Sequence, residues 1–373
     1  MWGGFYGEAM TQPTHGGNVY KVAREQRTPV GRIVDFSASI NPLGPSAAGL
    51  RAIRAALKQI AHYPDPDCWK VRQELAQQCG VDPDMILVGN GSTELIHLLP
   101  RALAIKSALI IGPTFEEYAR ALTDAGSSVQ YVHARGEERF RPPLKEALRQ
   151  ISTIRPRFDA LFLCNPNNPT GPVMNRRAVL ELAEAVDRQQ GWLIVDEAFI
   201  DYCQNQSVVS ALSRFPRMML LRSLTKFYAM PGLRLGYLVG ASKAVDRLKD
   251  LQPPWSVNSL AQEFSRAVLD DHAYAAHSRT FMKRERSRFM CGLRSLSSVR
   301  IYPTAANFVL IELPASTCAV EVTDRLASEK LLVRDCSKLP GLTTQMIRVA
   351  IRARKENRRL IAALGACLRK RQS

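Results

Sequence analysis

The chain has 373 residues, 46% of them apolar and 23% charged. That is ordinary for a soluble globular protein and long enough for two domains with buried cores. The net charge of +17 (51 Lys+Arg against 34 Asp+Glu) is scattered rather than gathered in one block, which suits anionic small molecules better than nucleic acid, and no nucleic-acid partner is expected.

No apolar stretch reaches the roughly 18 to 20 residues of a membrane span. Met1 to Met10 has no basic segment leading into an apolar run. A cytoplasmic location without a membrane partner is therefore expected. The start from Trp2 to Tyr6 carries no readable signal. Residues 1–40 are Gly-rich and irregular, and read as an arm that packs on a smaller C-terminal domain and ends in a strand at Ile33–Phe36. A turn cluster, Asn41-Pro42-Leu43-Gly44-Pro45, precedes a helical pattern from Pro45 to Ala61.

Short apolar strands then alternate with helices: Met85–Val88, Ala108–Ile111, Ser128–Val132, Ala160–Cys164, Trp192–Val195, Met218–Leu221 and Leu235–Val239. That alternation indicates an α/β domain over 41–255 with a mostly parallel sheet. Polar residues follow the strands, at the edge where open α/β sheets bind ligands. After Pro253-Pro254 the pattern changes. One long helical stretch from Ser259 to Leu293 and strands at Phe308–Glu312 and Met346–Ala350 read as a smaller α+β domain over 256–373.

The cysteines (Cys68, Cys79, Cys164, Cys203, Cys291, Cys318, Cys336 and Cys367) include no C-x-x-C pair. Buried free thiols are expected, with no metal site.

The segment Ser223-Leu224-Thr225-Lys226, with Arg234 eight positions on, offers an amine for an aldehyde, and hydroxyls and a guanidinium for a phosphate. Asp196 ends the strand Trp192–Val195, placed either to pair with a protonated pyridine nitrogen or to cap a helix. Asn165-Pro166-Asn167-Asn168-Pro169-Thr170-Gly171 is an Asn-Pro turn after another strand.

In that order these segments resemble the fold-type-I pyridoxal-phosphate enzymes, within the histidinol-phosphate aminotransferase branch of the class I/II aminotransferases, over about Asp35 to Leu368. The resemblance implies pyridoxal 5′-phosphate as cofactor, joined to Lys226, with Asp196 on its ring nitrogen and Asn168 on its ring oxygen. It implies a phosphate cup of Ser223, Thr225, Arg234 and the helix start Gly91-Ser92-Thr93. Phe115 matches the aromatic residue stacked on the ring. Tyr63 matches a tyrosine that reaches the neighbouring subunit, so a homodimer is implied. Arg348 matches the arginine for a substrate carboxylate, and Arg334 the one for a substrate phosphate. Phe199 departs from the pattern, because many aminotransferases carry a tyrosine there.

The arm, His15-Gly16-Gly17-Asn18 followed by Asp35-Phe36-Ser37-Ala38-Ser39, is similar to the start of the threonine-phosphate decarboxylase branch, which serves cobalamin biosynthesis. Phe199 and the second arginine of Arg348-Val349-Ala350-Ile351-Arg352 also fit that branch. On this resemblance His15, Gly16, Asn18, Ser39, Arg334, Arg348 and Arg352 are the expected contacts of an amino-acid phosphate. The expected reaction is decarboxylation of O-phosphothreonine or O-phosphoserine, with transamination of histidinol phosphate as the alternative.

Overall fold

The computed structural model describes residues 15–369, so Trp2 to Tyr6 lie outside the described residues. In chain order the strands are β1 (Val34–Asp35), β2 (Ile86–Asn90), β3 (Ser107–Gly112), β4 (Ser128–His133), β5 (Ala160–Cys164), β6 (Trp192–Asp196) and β7 (Met218–Ser223). After them come β8 (Leu235–Val239), β9 (Arg300–Ile301), β10 (Phe308–Glu312), β11 (Leu331–Leu332), β12 (Arg334–Asp335) and β13 (Met346–Ala350). The helices used below are α1 (Val19–Glu25), α2 (Ala47–Ala56), α3 (Trp69–Cys79), α4 (Ser92–Ala102) and α5 (Glu117–Asp124).

Strands β2 to β8 form a seven-stranded sheet in the order β2-β8-β7-β6-β5-β3-β4. Only β8 runs against its neighbours. The carboxyl ends of β2, β3, β5, β6 and β7 therefore share one edge, and the start of β8 joins them there. Register fixes the arrangement: Cys164 pairs with Asp196, and Ser223 with Gly236.

Alternate side chains of these strands enter two apolar clusters. Leu109, Leu161, Leu193 and Leu220 fall in one, and Ile110, Phe162, Ile194 and Leu221 in the other. A sheet buried on both faces reads as the continuous apolar runs seen in the sequence.

A second, antiparallel sheet has the order β12-β13-β10-β9. The arm docks on it: β1 pairs in parallel with β11, Val34 N–H donates to Lys330 O at 2.9 Å, and Ala350 N–H of β13 donates to Phe36 O at 2.8 Å.

Two helical expectations need correction. The pattern from Pro45 to Ala61 is α-helical only over α2, and Leu57–Ala61 is a 3₁₀ turn. The stretch from Ser259 to Leu293 is two helices, Ser259–Leu269 and His272–Arg294. They separate at Asp270-Asp271, where the Asp271 carboxylate caps the second by accepting from Tyr274 N–H at 3.0 Å. An aspartate offers the backbone this alternative wherever the helix can turn. The first of the two packs on α2, where Gly49 admits the Phe264 ring: a Cβ there would meet it at 2.3 Å. None of the eight cysteines forms a disulfide among the described residues, and five of them are buried.

Candidate active site

A cavity of about 490 Å³ opens at the carboxyl edge of the large sheet, within the range of about 300–1,000 Å³ usual for ligand sites. Its wall brings together Gly91, Ser92, Thr93, Phe115, Asn168, Asp196, Ser223, Thr225, Lys226 and Arg234. From the arm and the small sheet come His15, Gly16, Ser39, Arg334 and Arg348.

Lys226 lies in the one-turn helix Leu224–Phe227 directly after β7. Burial, then the charges of Arg234 and Arg348, lower its ammonium from 10.5 to about 8. Asp196, at the end of β6, is buried, and burial raises its carboxyl. Two donors offset part of that rise: Tyr118 Oη–H donates to Oδ2 at 2.7 Å, and Ala198 N–H to Oδ1 at 2.8 Å. Among the described residues no cation lies within ion-pair distance of this carboxylate, so a buried acid faces the cavity with room for a positive partner.

The other end of the cavity is cationic. Helix α4 starts at Ser92 behind Gly91, with its first backbone N–H groups at the wall. The guanidinium of Arg234 lies so close to Gly91 that a Cβ there would meet Nη2 at 2.4 Å. Gly236 has the same tightness, with Ser92 N at 2.3 Å from a would-be Cβ. Ser223 and Thr225 share a hydroxyl hydrogen bond of 2.8 Å. Arg234 holds a left-handed φ of 57°, a strained choice for a side-chain-bearing residue that recurs at functional sites.

On the small-sheet side, Arg334 and Arg348 are direct partners across the antiparallel β12–β13 pair. Arg348 is 8% exposed, and burial lowers it to about 10, with the Arg334 charge acting in the same direction. Its Nη1 donates to Asn168 Oδ1 and its Nη2 to Ser37 O at 2.6 Å. The Asn168 carbonyl is thereby occupied, which leaves its amide N–H groups for another acceptor. Arg334 Nη2 donates to Glu116 Oε2 at 3.0 Å. The Ser39 hydroxyl is buried and unpaired.

Three expected site residues are not brought into this cavity. Tyr63 is 78% exposed and stacks on Trp255, ring centroids 4.5 Å apart. Arg352 lies past the end of β13, where its Nη1 donates to Asp35 O at 3.0 Å and its Nη2 to Glu356 at 2.9 Å; it ties the arm to the last helix. Asn18 lines a second cavity of about 370 Å³ behind the arm. The sequence reading missed Tyr118, Glu116, Glu117 and His97. The one signal for Glu116, Glu117 and Tyr118 is the polar stretch that follows β3, since side chains that follow strand ends face the ligand edge; His97, inside α4, has none.

Phe199 is buried against Phe308 with ring centroids 5.1 Å apart, and presents no hydroxyl.

Residues 32–364 match the sequence pattern of the class I and II aminotransferases. The chain belongs to the class I and II aminotransferase family. It is 37% identical to a threonine-phosphate decarboxylase of Salmonella typhimurium over 95% of this chain and 97% of that one. Among solved structures, a histidinol-phosphate aminotransferase from Clostridium acetobutylicum superposes with a TM-score of 0.83, at 28% identity over 90% of this chain and 99% of that one. An L-threonine-O-3-phosphate decarboxylase from Porphyromonas gingivalis gives a TM-score of 0.80, at 27% identity over 90% of this chain and 100% of that one.

Like its aminotransferase-family relatives, the chain is a pyridoxal-5′-phosphate-dependent enzyme of fold type I. The residues present fit the cofactor. Among the described residues the buried Asp196 has no cation within ion-pair distance, the amine of Lys226 is lowered towards its neutral form, and Arg234 and the start of α4 form a cradle that a Cβ at Gly91 would fill. Among the described residues no cluster of His, Cys, Asp and Glu suits a metal ion, and no helix is long and apolar enough to cross a membrane.

Proposed function

We propose that this chain decarboxylates L-threonine O-3-phosphate, releasing carbon dioxide and (R)-1-aminopropan-2-yl phosphate, the precursor of the cobalamin side chain. The observation that carries the reading is the arginine pair. Like charges placed directly opposite each other on antiparallel strands repel. Arg334 and Arg348 hold that position at the cavity wall, an arrangement suited to a substrate with two anionic groups. A phosphorylated amino acid has both, a carboxylate and a phosphate, on either side of its amine. The similarity to the Salmonella decarboxylase over nearly the whole chain supports the same choice.

Position in the cavity supports the following division of labour. Ser223, Thr225, Arg234 and the N–H groups at Gly91-Ser92-Thr93 hold the cofactor phosphate. Asp196, kept in place by Tyr118, holds its ring nitrogen; the amide of Asn168 donates to its ring oxygen, and Phe115 packs on its ring. Bound there, pyridoxal phosphate supplies an electron sink for the substrate carbon that loses its carboxylate.

Arg348 takes the substrate carboxylate, with the Ser39 hydroxyl beside it. Arg334 and His15 take the phosphate, where Gly16 lets the arm approach closely: a Cβ on it would meet Ser37 O at 2.2 Å. Gripping the substrate at its phosphate orients the bond from Cα to the carboxylate, rather than Cα–H, for cleavage. Lys226 Nζ then delivers a proton to Cα. A homodimer completes the site, with Tyr63 reaching the neighbouring subunit. The cofactor is held by a domain over 41–255, and the smaller domain over 256–373, with the arm, covers the substrate.

Incubating the purified holoenzyme with O-phospho-L-threonine tests this. Carbon dioxide release without any keto acid is the expected result. The likeness to the Clostridium aminotransferase makes transamination of histidinol phosphate the competing reading, and a strict need for 2-oxoglutarate would establish it instead.

A further inference from the structure

Four consecutive residues at the start of α5, Phe115 to Tyr118, line the cavity. Tyr118 holds Asp196, and Glu116 holds Arg334. Glu117 is 3% exposed and has no part in the chemistry above. Its Oε1 lies 2.9 Å from His15 Nε2 and its Oε2 lies 2.8 Å from His97 Nε2, while Arg120 approaches at 3.6 Å.

These contacts come from three separate elements. His15 belongs to the arm, His97 to α4, and Glu117 itself opens α5, where the helix N-terminus favours an anion. The hydrogen bond from His15 lowers the Glu117 carboxyl to about 2 despite its burial, and His97 adds to the effect. An ionised carboxylate only accepts, so both imidazoles present N–H at Nε2. That engages Nε2 and leaves Nδ1 of His15 for a second partner; Nδ1 accepts in the neutral ring and donates to an anion only in the imidazolium form. His15 and Arg334 also share the wall between the main cavity and the one behind the arm.

We propose that Glu117 is a positioning residue for the phosphate end of the substrate. Bonded to His15 and His97, it docks the arm onto the helix whose N-terminus belongs to the cofactor cup, and leaves Nδ1 of His15, which donates in the imidazolium form, for that phosphate. The identity of the anion rests on the decarboxylase reading; the docking of the arm does not.

The test is a double-mutant cycle on the holoenzyme with Glu117→Gln, His15→Ala and the combined variant. Two quantities are read: KM and kcat for O-phospho-L-threonine, and the calorimetric Kd of inorganic phosphate. Glu117→Gln should raise KM and the phosphate Kd about ten-fold, the loss expected for one charge-assisted hydrogen bond, with little change in kcat. His15→Ala should do the same, and the combined variant should be no worse than His15→Ala alone. Glu117→Asp, which keeps the charge and both acceptor oxygens, should recover part of the loss; it replaces Glu117→Gln in the cycle if the glutamine variant does not fold.

Unchanged KM and phosphate Kd in the Glu117 variants, or fully additive losses, would overturn the proposal. So would a loss confined to kcat and cofactor affinity. A wild-type holoenzyme that leaves O-phospho-L-threonine untouched would count against the proposed reaction, and the phosphate-binding cycle would then judge Glu117 by itself.

Discussion

Lys226 shows most directly how packing prepares a side chain for its reaction. Lowering its ammonium from 10.5 to about 8 raises the neutral fraction at pH 7 about 300-fold. The same shift costs stability. Below pH 8 Lys226 is protonated whether the chain is folded or not, so the penalty of burying the charge is fully present, roughly 3 kcal/mol. Between pH 8 and 10.5 the folded state has released the proton and the unfolded state still holds it. Stability from this group therefore rises across that interval. In the cofactor-free protein, Lys226→Met should be the more stable form at pH 7 by urea unfolding, and its advantage should shrink as pH rises through that window. An advantage independent of pH would mean that folding does not shift the lysine, so that its ammonium releases its proton at the same pH in the folded and unfolded chain.

At the level of elements, the cofactor cup is a meeting of three segments: Gly91 before α4, Ser223 at the end of β7 and Arg234 before β8. The reversed direction of β8 brings Arg234 to the same edge as the other two. Gly91 has a φ of 79°, and a Cβ on it would collide with Arg234. Gly91→Ala should therefore weaken cofactor binding by at least about ten-fold, at a stability cost of about 1–3 kcal/mol, read by absorbance titration and urea unfolding. Cofactor affinity equal to wild type would show that Arg234 does not belong to the cup. The strand ends were readable because apolar runs stop at residues with chemistry, as at Cys164-Asn165 and Val195-Asp196. The segment Phe115 to Tyr118 was only partly readable. Glu116 and Glu117 look like ordinary first-turn acids until the fold supplies Arg334, His15 and His97 from distant parts of the chain. Arg352 shows the reverse case: sequence places it four residues from Arg348, but β13 ends between them and its side chain turns to Asp35 and Glu356.

For the whole molecule, Tyr63, Ile60, Trp69 and Trp255 are large apolar residues left 78%, 67%, 58% and 46% exposed. Exposed apolar side chains of this size mark association surfaces when they lie together, and Tyr63 and Trp255 are stacked. Sedimentation should give twice the chain mass. In the proposed dimer, Trp255→Glu should shift the protein towards monomer and reduce turnover with it, by withdrawing Tyr63 from the second site. Full activity in a monomeric variant would contradict the shared site.

The proposed function turns on which bond of the substrate is broken. Turnover of O-phospho-L-threonine in D₂O, followed by NMR, reads that bond directly. The proposed cleavage should give a product with one deuterium on the carbon that carried the carboxylate, and unreacted substrate that keeps its Cα–H. Washout of the substrate Cα–H into solvent without carbon dioxide release would contradict it.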